Sequence, residues 1–305
     1  RQIVEELIAG DMLRGEQTIT KSAWCQARSR LPEAMLGKLL ENTLTLAMDR
    51  FGSTYRWHGR EVYLVDGSTI SMPDEPELVE AFGYIKGKHG NSRFPVARIV
   101  ALLHAATRMI AQFRIAHNQT SELELFRQMM SLIAPGSIWV GDVYYSTFPD
   151  FVFSLRCGVD WVTRLHQRRD AQRLIEKALP LGEDDWLVEF EASQPVLRKY
   201  KDKALPKTIT VRLIRHRYRD RGKLRTLWLV TSLLDPEAYP GKDIIALYRQ
   251  RWGIETHYSY LKGTLELSVL RSKTPENIRR EVGAIMLAHN LIWWLMHEAG
   301  AAADI

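Results

Sequence analysis

The spacing of apolar residues divides the chain into helical and strand-like stretches. From residue 1 to about residue 48, apolar positions recur every three or four residues, which predicts a small helical N-terminal region. Residues 62–65 form a short apolar run that ends at Asp66, a pattern typical of a buried strand. Residues 96–104 and 109–116 are longer apolar runs joined by a short turn, so they predict an antiparallel hairpin.

An α/β order continues after the hairpin. Residues 121–133 have helical spacing, residues 138–140 form an apolar strand followed by Asp142, and residues 161–165 predict a further strand. A strand, a hairpin, a helix and another strand in this order open a ribonuclease-H-like α/β sheet. The expected fold class is therefore α/β, with a ribonuclease-H-like core.

The order changes near residue 186, where alternating strands replace the α/β units up to about residue 232. Helical spacing resumes at Asp243 and continues almost to the C-terminus, with a break near Pro275. The core is thus expected to contain a β-rich insertion and to have helical N- and C-terminal regions. The boundaries we assign are residues 1–58 for the helical N-terminal region, 59–170 for the first part of the core, 171–240 for the insertion and 241–305 for the helical remainder.

Charge and composition narrow the class of protein only moderately. The 42 Lys and Arg residues exceed the 36 Asp and Glu residues, and the formal charge of +6 suits a nucleic-acid partner without requiring one. Cys25 and Cys157 belong to no ligand pattern, so we expect neither a disulfide framework nor a zinc site, and a reducing cytoplasm fits best. No apolar run reaches the length of a membrane span, and the first residues lack the features of a signal peptide. The chain starts without Met, which is compatible with trimming at the N-terminus.

Two aspartates follow predicted strands and are candidate metal ligands. Phosphoryl transfer by two metal ions requires carboxylates from different elements, because Mg²⁺ takes oxygen ligands. In the expected sheet order the strands before Asp66 and Asp142 lie side by side, which would bring the two carboxylates together. Gly67 would leave room for a metal or a backbone to approach. Taken singly, Asp-Gly and Gly-Asp are common turn dipeptides, so each aspartate also has a purely structural interpretation.

A third carboxylate belongs to a predicted helix. Four residues fall at i, i+3, i+7 and i+14 of that helix and would share one stripe of its surface: Tyr248, Arg251, Glu255 and Lys262. Such a stripe would present Glu255 to metal ions, with Arg251 and Lys262 directed toward phosphate. The alternative is that Arg251 and Glu255 form an ordinary solvated ion pair on a helix surface.

The spacing of these four residues matches a family signature. The pattern Tyr248-x-x-Arg251-x-x-x-Glu255-x-x-x-x-x-x-Lys262 resembles in full the Y-R-E-K signature of bacterial insertion-sequence transposases of the IS-four type, within the DDE superfamily. Residues 65–69 look like the first-aspartate motif of that family, and the β-rich block looks like its insertion. The resemblance covers most of the chain from about residue 62 onward. It departs after Asp142, where Val-Tyr-Tyr follows and relatives commonly have Arg-Gly-Tyr.

The resemblance implies an enzyme that cuts and joins DNA. It implies Mg²⁺-dependent cleavage at the ends of a mobile element, with Mn²⁺ able to substitute, followed by attack of the freed 3′-hydroxyl on target DNA. The residues implied to bind two metal ions are Asp66, Asp142 and Glu255. Those implied to contact the DNA backbone are Tyr248, Arg251 and Lys262. A homodimer on double-stranded DNA, and a place in the bacterial cytoplasm on the nucleoid, follow from the same resemblance.

Trp228 and several basic stretches have weaker interpretations. Relatives place a tryptophan that stacks on a flipped base where Trp228 stands, although a Trp between two leucines is also typical of a core or strand-face position. The densest basic cluster, which includes Arg164, Arg168 and Arg169, is either a phosphate track or a solvated turn. Residues 22–31 predict a helix that either lies against DNA or has a solvated basic face.

Two further features are interpreted without a catalytic role. The basic, glycine-containing loop at residues 83–93 lacks the strand-then-helix context of a nucleotide site, so a flexible loop near DNA is the better interpretation. His289 and Asn290, within an apolar helix, are predicted to be a hydrogen-bonded polar pair of the core.

Three functions remain open on the sequence alone. The favoured one is cut-and-paste DNA transposition. The second is a ribonuclease-H-like nuclease that cuts DNA without strand transfer, and the third is an inactive transposase-derived protein that only binds DNA. DNA binding that survives chelation, with no cleavage under any metal, would favour the third.

Overall fold

The computed structural model of the chain describes residues 20–51, 56–87, 90–268 and 270–302. Ten α-helices occur in these ranges: α1 Lys21–Arg30, α2 Glu33–Phe51, α3 Pro76–Phe82, α4 Glu122–Met130, α5 Phe148–Arg156, α6 Ala171–Ile175, α7 Gln194–Lys199, α8 Gly241–Arg249, α9 Trp252–Gly263 and α10 Pro275–Ala302. The same ranges contain eleven strands: β1 Val62–Ser71, β2 Lys86–Gly87, β3 Gly90–Asn91, β4 Val96–His104, β5 Ile110–His117, β6 Ile138–Val140, β7 Asp160–Arg164, β8 Leu179–Gly182, β9 Asp185–Glu191, β10 Thr208–Asp220 and β11 Lys223–Thr231.

Nine of these strands form one mixed sheet, in the order β5-β4-β1-β6-β7-β11-β10-β9-β8. The three central strands β1, β6 and β7 are parallel, and the strands outside them pair antiparallel. The expected α/β class and its hairpin of residues 96–117 are confirmed. The predicted β-rich stretch is also present, and its strands β8 to β11 continue the edge of the same sheet.

Side chains alternate between the two faces of the sheet and build a core on each face. On one face, Leu64 of β1 clusters with Ile254 and Leu261 of α9. On the other face, Val65 clusters with Phe126 of α4 and other apolar side chains. Because positions two apart on a strand share a face, Asp66 lies on the same face of β1 as Leu64. The first aspartate is therefore on the side of the sheet covered by the helix that carries Glu255.

The prediction that the first strand ends at Asp66 is wrong. Strand β1 continues to Ser71, because β4 pairs with it from Tyr63 to Ser71, where the partner is Val96. The parallel pairing of β1 with β6 stops earlier, at Leu64 and Val140. Asp66 thus lies within a strand, two residues past the point at which one of the two neighbouring strands ends.

The prediction of one continuous helix through Tyr248 and Lys262 is also wrong. Helix α8 ends at Arg249, and α9 begins at Trp252. Around this break the backbone N–H groups of Gln250, Arg251 and Gly253 donate to carbonyls three residues back, at 2.8 to 3.1 Å, which tightens the turn. A Cβ on Gly253 would clash with the Arg108 guanidinium, so close packing against the β4–β5 turn accompanies the break.

The helical regions at the two ends of the chain match some of the predictions made from the sequence. Residues 1–19 lie outside the described residues, while α1 is a largely exposed helix whose last turn carries Arg28 and Arg30. The interruption near Pro275 is confirmed, since α10 starts there. His289 and Asn290 are fully buried and hydrogen-bonded, as predicted. Among the described helices, none combines the length and apolarity needed to cross a membrane.

Candidate active site

Three polar residues lie at one level across the parallel strands. Leu64 pairs with Val140, and Val140 with Val162, so these residues of β1, β6 and β7 form one row across the sheet. Asp66, Asp142 and Arg164 each follow one residue of this row by two positions in the sequence. Neighbouring strands are about 4.8 Å apart, so Asp66 and Asp142 start from adjacent backbone positions. The expectation that the sheet order brings these two aspartates together is met.

Asp142 is held by the turn that follows its strand. It caps a short 3₁₀ helix, and its Oδ1 accepts a hydrogen bond from the backbone N–H of Tyr144 at 2.8 Å. The other carboxylate oxygen makes no hydrogen bond to the described part of the chain. The turn thus orients the Asp142 carboxylate and leaves its second oxygen able to bind a metal ion.

Asp66 sits in a buried and negatively charged environment. The pKa of Asp66 is raised to about 6, mainly by burial and also by the charges of Asp142 and Glu122, against the lowering effects of the Gly67 N–H and Arg251. The hydroxyl of Tyr258 donates to the backbone carbonyl of Asp66 at 3.1 Å and fixes the strand there. A carboxylate that is buried beside two others is stabilised by a cation, so this environment fits a divalent metal ion.

Glu122 and Tyr258 were missed by the sequence analysis. Glu122 is in the first turn of α4, where Ser121 caps the helix. Its Oε1 accepts from the Arg98 guanidinium at 2.5 Å. The Ser-Glu-Leu-Glu sequence marks a helix start, yet nothing in it indicates that Asp66 is a neighbour.

The residues of the Y-R-E-K signature gather near this pair of aspartates. Arg251 donates to Glu255 Oε1 at 2.6 Å, and the charge of Arg251 lowers the pKa of Asp66. Burial lowers the pKa of Lys262, while the negative charge of Asp66 raises it, so the ammonium group is close enough to interact with that aspartate. Tyr248 is 5 % exposed, and its pKa is raised by burial.

Two polar atoms of this signature lack partners. The Tyr248 hydroxyl and the Arg251 Nε are buried and neither makes a hydrogen bond of normal geometry within the described residues, although Arg251 lies close enough to Tyr248 to act against the rise of its pKa. An unsatisfied buried polar atom costs free energy, and these two atoms belong to residues beside the paired aspartates. Both atoms can donate to an oxygen.

Glu255 does not join the aspartates in this structure. Its side chain is 40 % exposed and its Oε1 is paired with Arg251. Over the described ranges, no group of three or more His, Cys, Asp or Glu side chains is arranged to hold a metal ion. The two carboxylates that lie together are those of Asp66 and Asp142, and the second oxygen of Glu255 makes no hydrogen bond within the described residues.

Trp228 and Arg164 share a cleft beside the site. The cleft has a volume of about 360 Å³, and Arg169 and His166 also line it. The Trp228 ring is half-buried, 5.8 Å from the ring of Trp186, so it is part of a small aromatic cluster and still borders the cleft. Both the stacking role and the strand-face interpretation of this residue are compatible with that position.

The basic cluster after β7 divides into exposed and engaged residues. Arg164 and Arg168 are exposed. Arg169 lies over the Phe190 ring at 4.1 Å and donates to the Glu191 carbonyl at 2.7 Å, so its guanidinium is already occupied by the insertion. Arg164 and Arg168 are thus better placed than Arg169 for a phosphate.

Comparison with known proteins gives a consistent family. The family described as "Transposase DDE domain" matches residues 57–291. "Transposase InsG for insertion sequence element IS4" of Escherichia coli (strain K12) is 28% identical over 289 residues, which cover 93% of this chain and 63% of that protein. "Putative transposase InsZ" of the same strain is 29% identical over 163 residues, 51% of this chain and 53% of that protein. The chain thus spans less than two thirds of the length of either relative.

A solved structure is also similar. It is the piggyBac transposase in a synaptic complex with hairpin DNA, with a TM-score of 0.42 and 12% identity over 75% of this chain and 47% of that one. The family match covers both aspartates, the Y-R-E-K residues and the sheet between them, and both curated relatives are transposases. The chain therefore belongs to the transposase DDE domain family, and within it to the IS4 type.

Proposed function

We propose that this chain catalyses metal-dependent cleavage of DNA at transposon ends and transfer of the freed 3′-hydroxyl into target DNA. The observation that carries the proposal is the placement of Asp66 and Asp142 two residues beyond the paired residues Leu64 and Val140 of neighbouring parallel strands. This is the geometry in which two carboxylates from separate elements can share a metal ion. Family membership supports the same chemistry.

Asp66 and Asp142 would hold the metal, with Glu255 as the third ligand. The raised pKa of Asp66, caused by burial and then by neighbouring carboxylates, fits a site that is completed by a cation. When bound, two Mg²⁺ ions, for which Mn²⁺ could substitute, would activate the attacking oxygen and stabilise the leaving one. Arg251, which pairs with Glu255 and also acts on Asp66, would position Glu255 near the aspartates.

Phosphates of the DNA backbone would accept hydrogen bonds from buried donors of the site. The Tyr248 hydroxyl and the Arg251 Nε are buried donors, and phosphate oxygens are suitable acceptors for both. Lys262, close enough to interact with Asp66, would add a positive charge beside the scissile phosphate. Arg164 and Arg168 would extend this track, and Trp228 would offer a stacking surface in the cleft it shares with Arg164.

The division of the chain is part of the proposal. Strands β1, β4, β5, β6 and β7 would form the ribonuclease-H-like core, followed by the insertion of residues 171–240 and the helical remainder of residues 241–305. The helical region of residues 1–58 would assist in binding transposon ends. A homodimer on double-stranded DNA in the bacterial cytoplasm completes the proposal, because two ends must be handled together.

The decisive experiment is cleavage of a supercoiled plasmid that carries the element's own ends, with Mg²⁺ or with chelator. We compare the unaltered chain with Glu255→Gln and with Glu237→Gln, which makes the same chemical change at an exposed position outside the site. Breaks at the ends with joined products, lost only in Glu255→Gln and without metal, support transposition. Cleavage without joining would instead support a nuclease, and DNA binding without any cleavage would support an inactive relic.

A further inference from the structure

The hairpin of β10 and β11 extends beyond the sheet as a separate arm. Pairing of β10 with β9 stops at Ile214, and pairing of β11 with β7 stops at Leu229. From His216 and Leu227 outward the two strands pair only with each other, as far as Asp220 and Lys223. We call residues 216–227 the basic arm.

The basic arm carries a large excess of positive charge. It contains one acidic residue, Asp220, and five Lys or Arg residues. These are Arg217, Arg219, Arg221, Lys223 and Arg225. Residues 217–226 are all exposed. Arg217 lies 3.4 Å from Asp184, and none of the other four makes an ion pair with the described residues. Such uncompensated charge favours an anionic partner.

The arm has a defined shape rather than a loose loop. Arg221 and Gly222, at its tip, have φ values of 47° and 79°, which are the positive values of a tight two-residue hairpin turn. Tyr218 and Leu224 are 41% and 70% exposed on its two faces. A two-stranded ribbon of this kind is narrow enough to enter the major groove of a duplex.

The arm projects from the edge of the sheet that carries the candidate catalytic residues. Leu229 pairs with Arg164, which lies at the same level as Asp66 and Asp142. Lys223, at the outer end of β11, lies six residues before Leu229 in the chain. At about 3.3 Å per residue this is a reach of about 20 Å, or about six base pairs of duplex.

The position of the arm decides which anion it would meet. A duplex held at the two aspartates would lie at the edge of the sheet from which the ribbon projects. Lys223 and Arg225 belong to the face of the ribbon that His216 shares, and the His216 ring contacts Arg249 of α8 at 2.8 Å. Those two charges therefore lie on the side of the sheet where α8 and α9 pack.

We propose that the basic arm binds the phosphate backbone of duplex DNA that extends from the carboxylate site, and that this contact does not depend on base sequence. The proposal rests on the proposed function, because it requires DNA at Asp66 and Asp142. It adds a second contact surface, separate from the Y-R-E-K residues. Each bound phosphate releases counterions, so the contact has a measurable dependence on salt.

The test compares two triple variants that remove equal charge from the same β-rich region. The first is Arg219→Ala, Lys223→Ala and Arg225→Ala. The control is Lys199→Ala, Lys201→Ala and Lys207→Ala, at exposed positions before the start of β10 and so at the opposite edge of the sheet. A thermal melt of each variant establishes that it is folded.

Binding is measured by fluorescence anisotropy with chelator present, so that no cleavage is needed. The probes are a labelled duplex with the element's end and an unrelated duplex of equal length, each over a range of salt. We expect the arm variant to bind both duplexes about tenfold or more weakly and to reduce the slope of log affinity against log salt by about 2 to 3. The control variant and an Arg219→Lys, Arg225→Lys variant should keep the original slope.

The possible results separate the arm from the proposed function. If the unaltered chain binds duplex and the arm variant has the same affinity and slope, the arm proposal is overturned while the function stands. If the unaltered chain binds no duplex, both are overturned. Arm-dependent binding to phosphatidylserine vesicles, with no arm-dependent binding to duplex, would overturn the DNA assignment in favour of a membrane surface.

Discussion

The carboxyl group of Glu122 occupies the space that a side chain on Gly67 would fill. An ideal Cβ built on Gly67 overlaps the terminal atoms of Glu122, which the Arg98 guanidinium holds in place. A side chain at position 67 would therefore force the end of the Glu122 side chain out of its place beside Arg98. Gly67 directly follows Asp66, so any shift at this position is transmitted to the first candidate metal ligand.

We expect Gly67→Ala to lower both stability and DNA cleavage. The added methyl group must displace Glu122 or the β1 backbone, and overpacking of this kind costs about 1 to 3 kcal/mol. Thermal unfolding and plasmid cleavage would measure the two effects. Gly263→Ala is the matched control, because a Cβ there meets nothing within 4 Å.

A double variant identifies the cause of the loss. If the clash with Glu122 is responsible, Gly67→Ala combined with Glu122→Ala should be less destabilised than the sum of the two single changes. Additive effects would show that the methyl group strains the backbone of β1 instead. Cleavage is compared in the same four proteins.

Two tyrosines near the site should respond differently to loss of the hydroxyl. The Tyr248 hydroxyl is buried without a partner, so Tyr248→Phe should leave stability unchanged or raise it by up to about 1 kcal/mol. The Tyr258 hydroxyl donates to the Asp66 carbonyl, so Tyr258→Phe should cost about 1 kcal/mol. Chemical denaturation measures both changes.

Binding to duplex DNA distinguishes the role of Tyr248 from a packing role. If its hydroxyl awaits a phosphate oxygen, Tyr248→Phe should weaken binding severalfold while stability is kept. Unchanged affinity together with increased stability would mean that the hydroxyl is a buried defect without a ligand. The orphaned Arg251 Nε would then be the remaining candidate contact.

The sequence predicted the neighbouring positions of Asp66 and Asp142 better than it predicted what surrounds them. The order of apolar runs was enough to place the strands before Asp66 and Asp142 side by side, since that order follows from local patterns. Two details depended on partners distant in sequence. The length of β1 is set by β4, and the nearness of Glu122 to Asp66 is set by how α4 packs on the sheet.

The helix break at residues 250 and 251 was not predictable for a similar reason. Spacing suited a continuous helix, whereas the contact of Gly253 with Arg108 belongs to the turn between β4 and β5. Arg212 is a second case. An arginine in an alternating strand is expected to face solvent, yet it is fully buried because Asp185 and three carbonyl groups surround its guanidinium.

Breaking the buried ion pair of Arg212 and Asp185 should strongly reduce the stability of the β-rich strands. Asp185→Asn should cost about 3 to 5 kcal/mol, because the Arg212 charge would remain buried without its counter-charge. Its neighbour Asp184 pairs with Arg215 at a more exposed position, so Asp184→Asn should cost about 1 kcal/mol or less. Equal losses in denaturation midpoints would contradict the distinction.

The stability of the fold should depend on pH through His289. Burial lowers the pKa of His289 to about 4, although its hydrogen bond with the Arg108 carbonyl acts in the opposite direction. The rings of His257, Tyr260 and Trp293 face it. In the unfolded chain its pKa is about 6.5, so between these values the unfolded state binds a proton that the folded state does not.

The free energy of unfolding should therefore fall as pH drops from about 6.5 toward 4, by about 3 kcal/mol for this residue. His289→Gln retains a donor for the Arg108 carbonyl and does not titrate, so its stability should decline less over that interval. Denaturation of both proteins at pH 7.5 provides the reference. Parallel declines in the two proteins would show that His289 does not cause the loss of stability in acid.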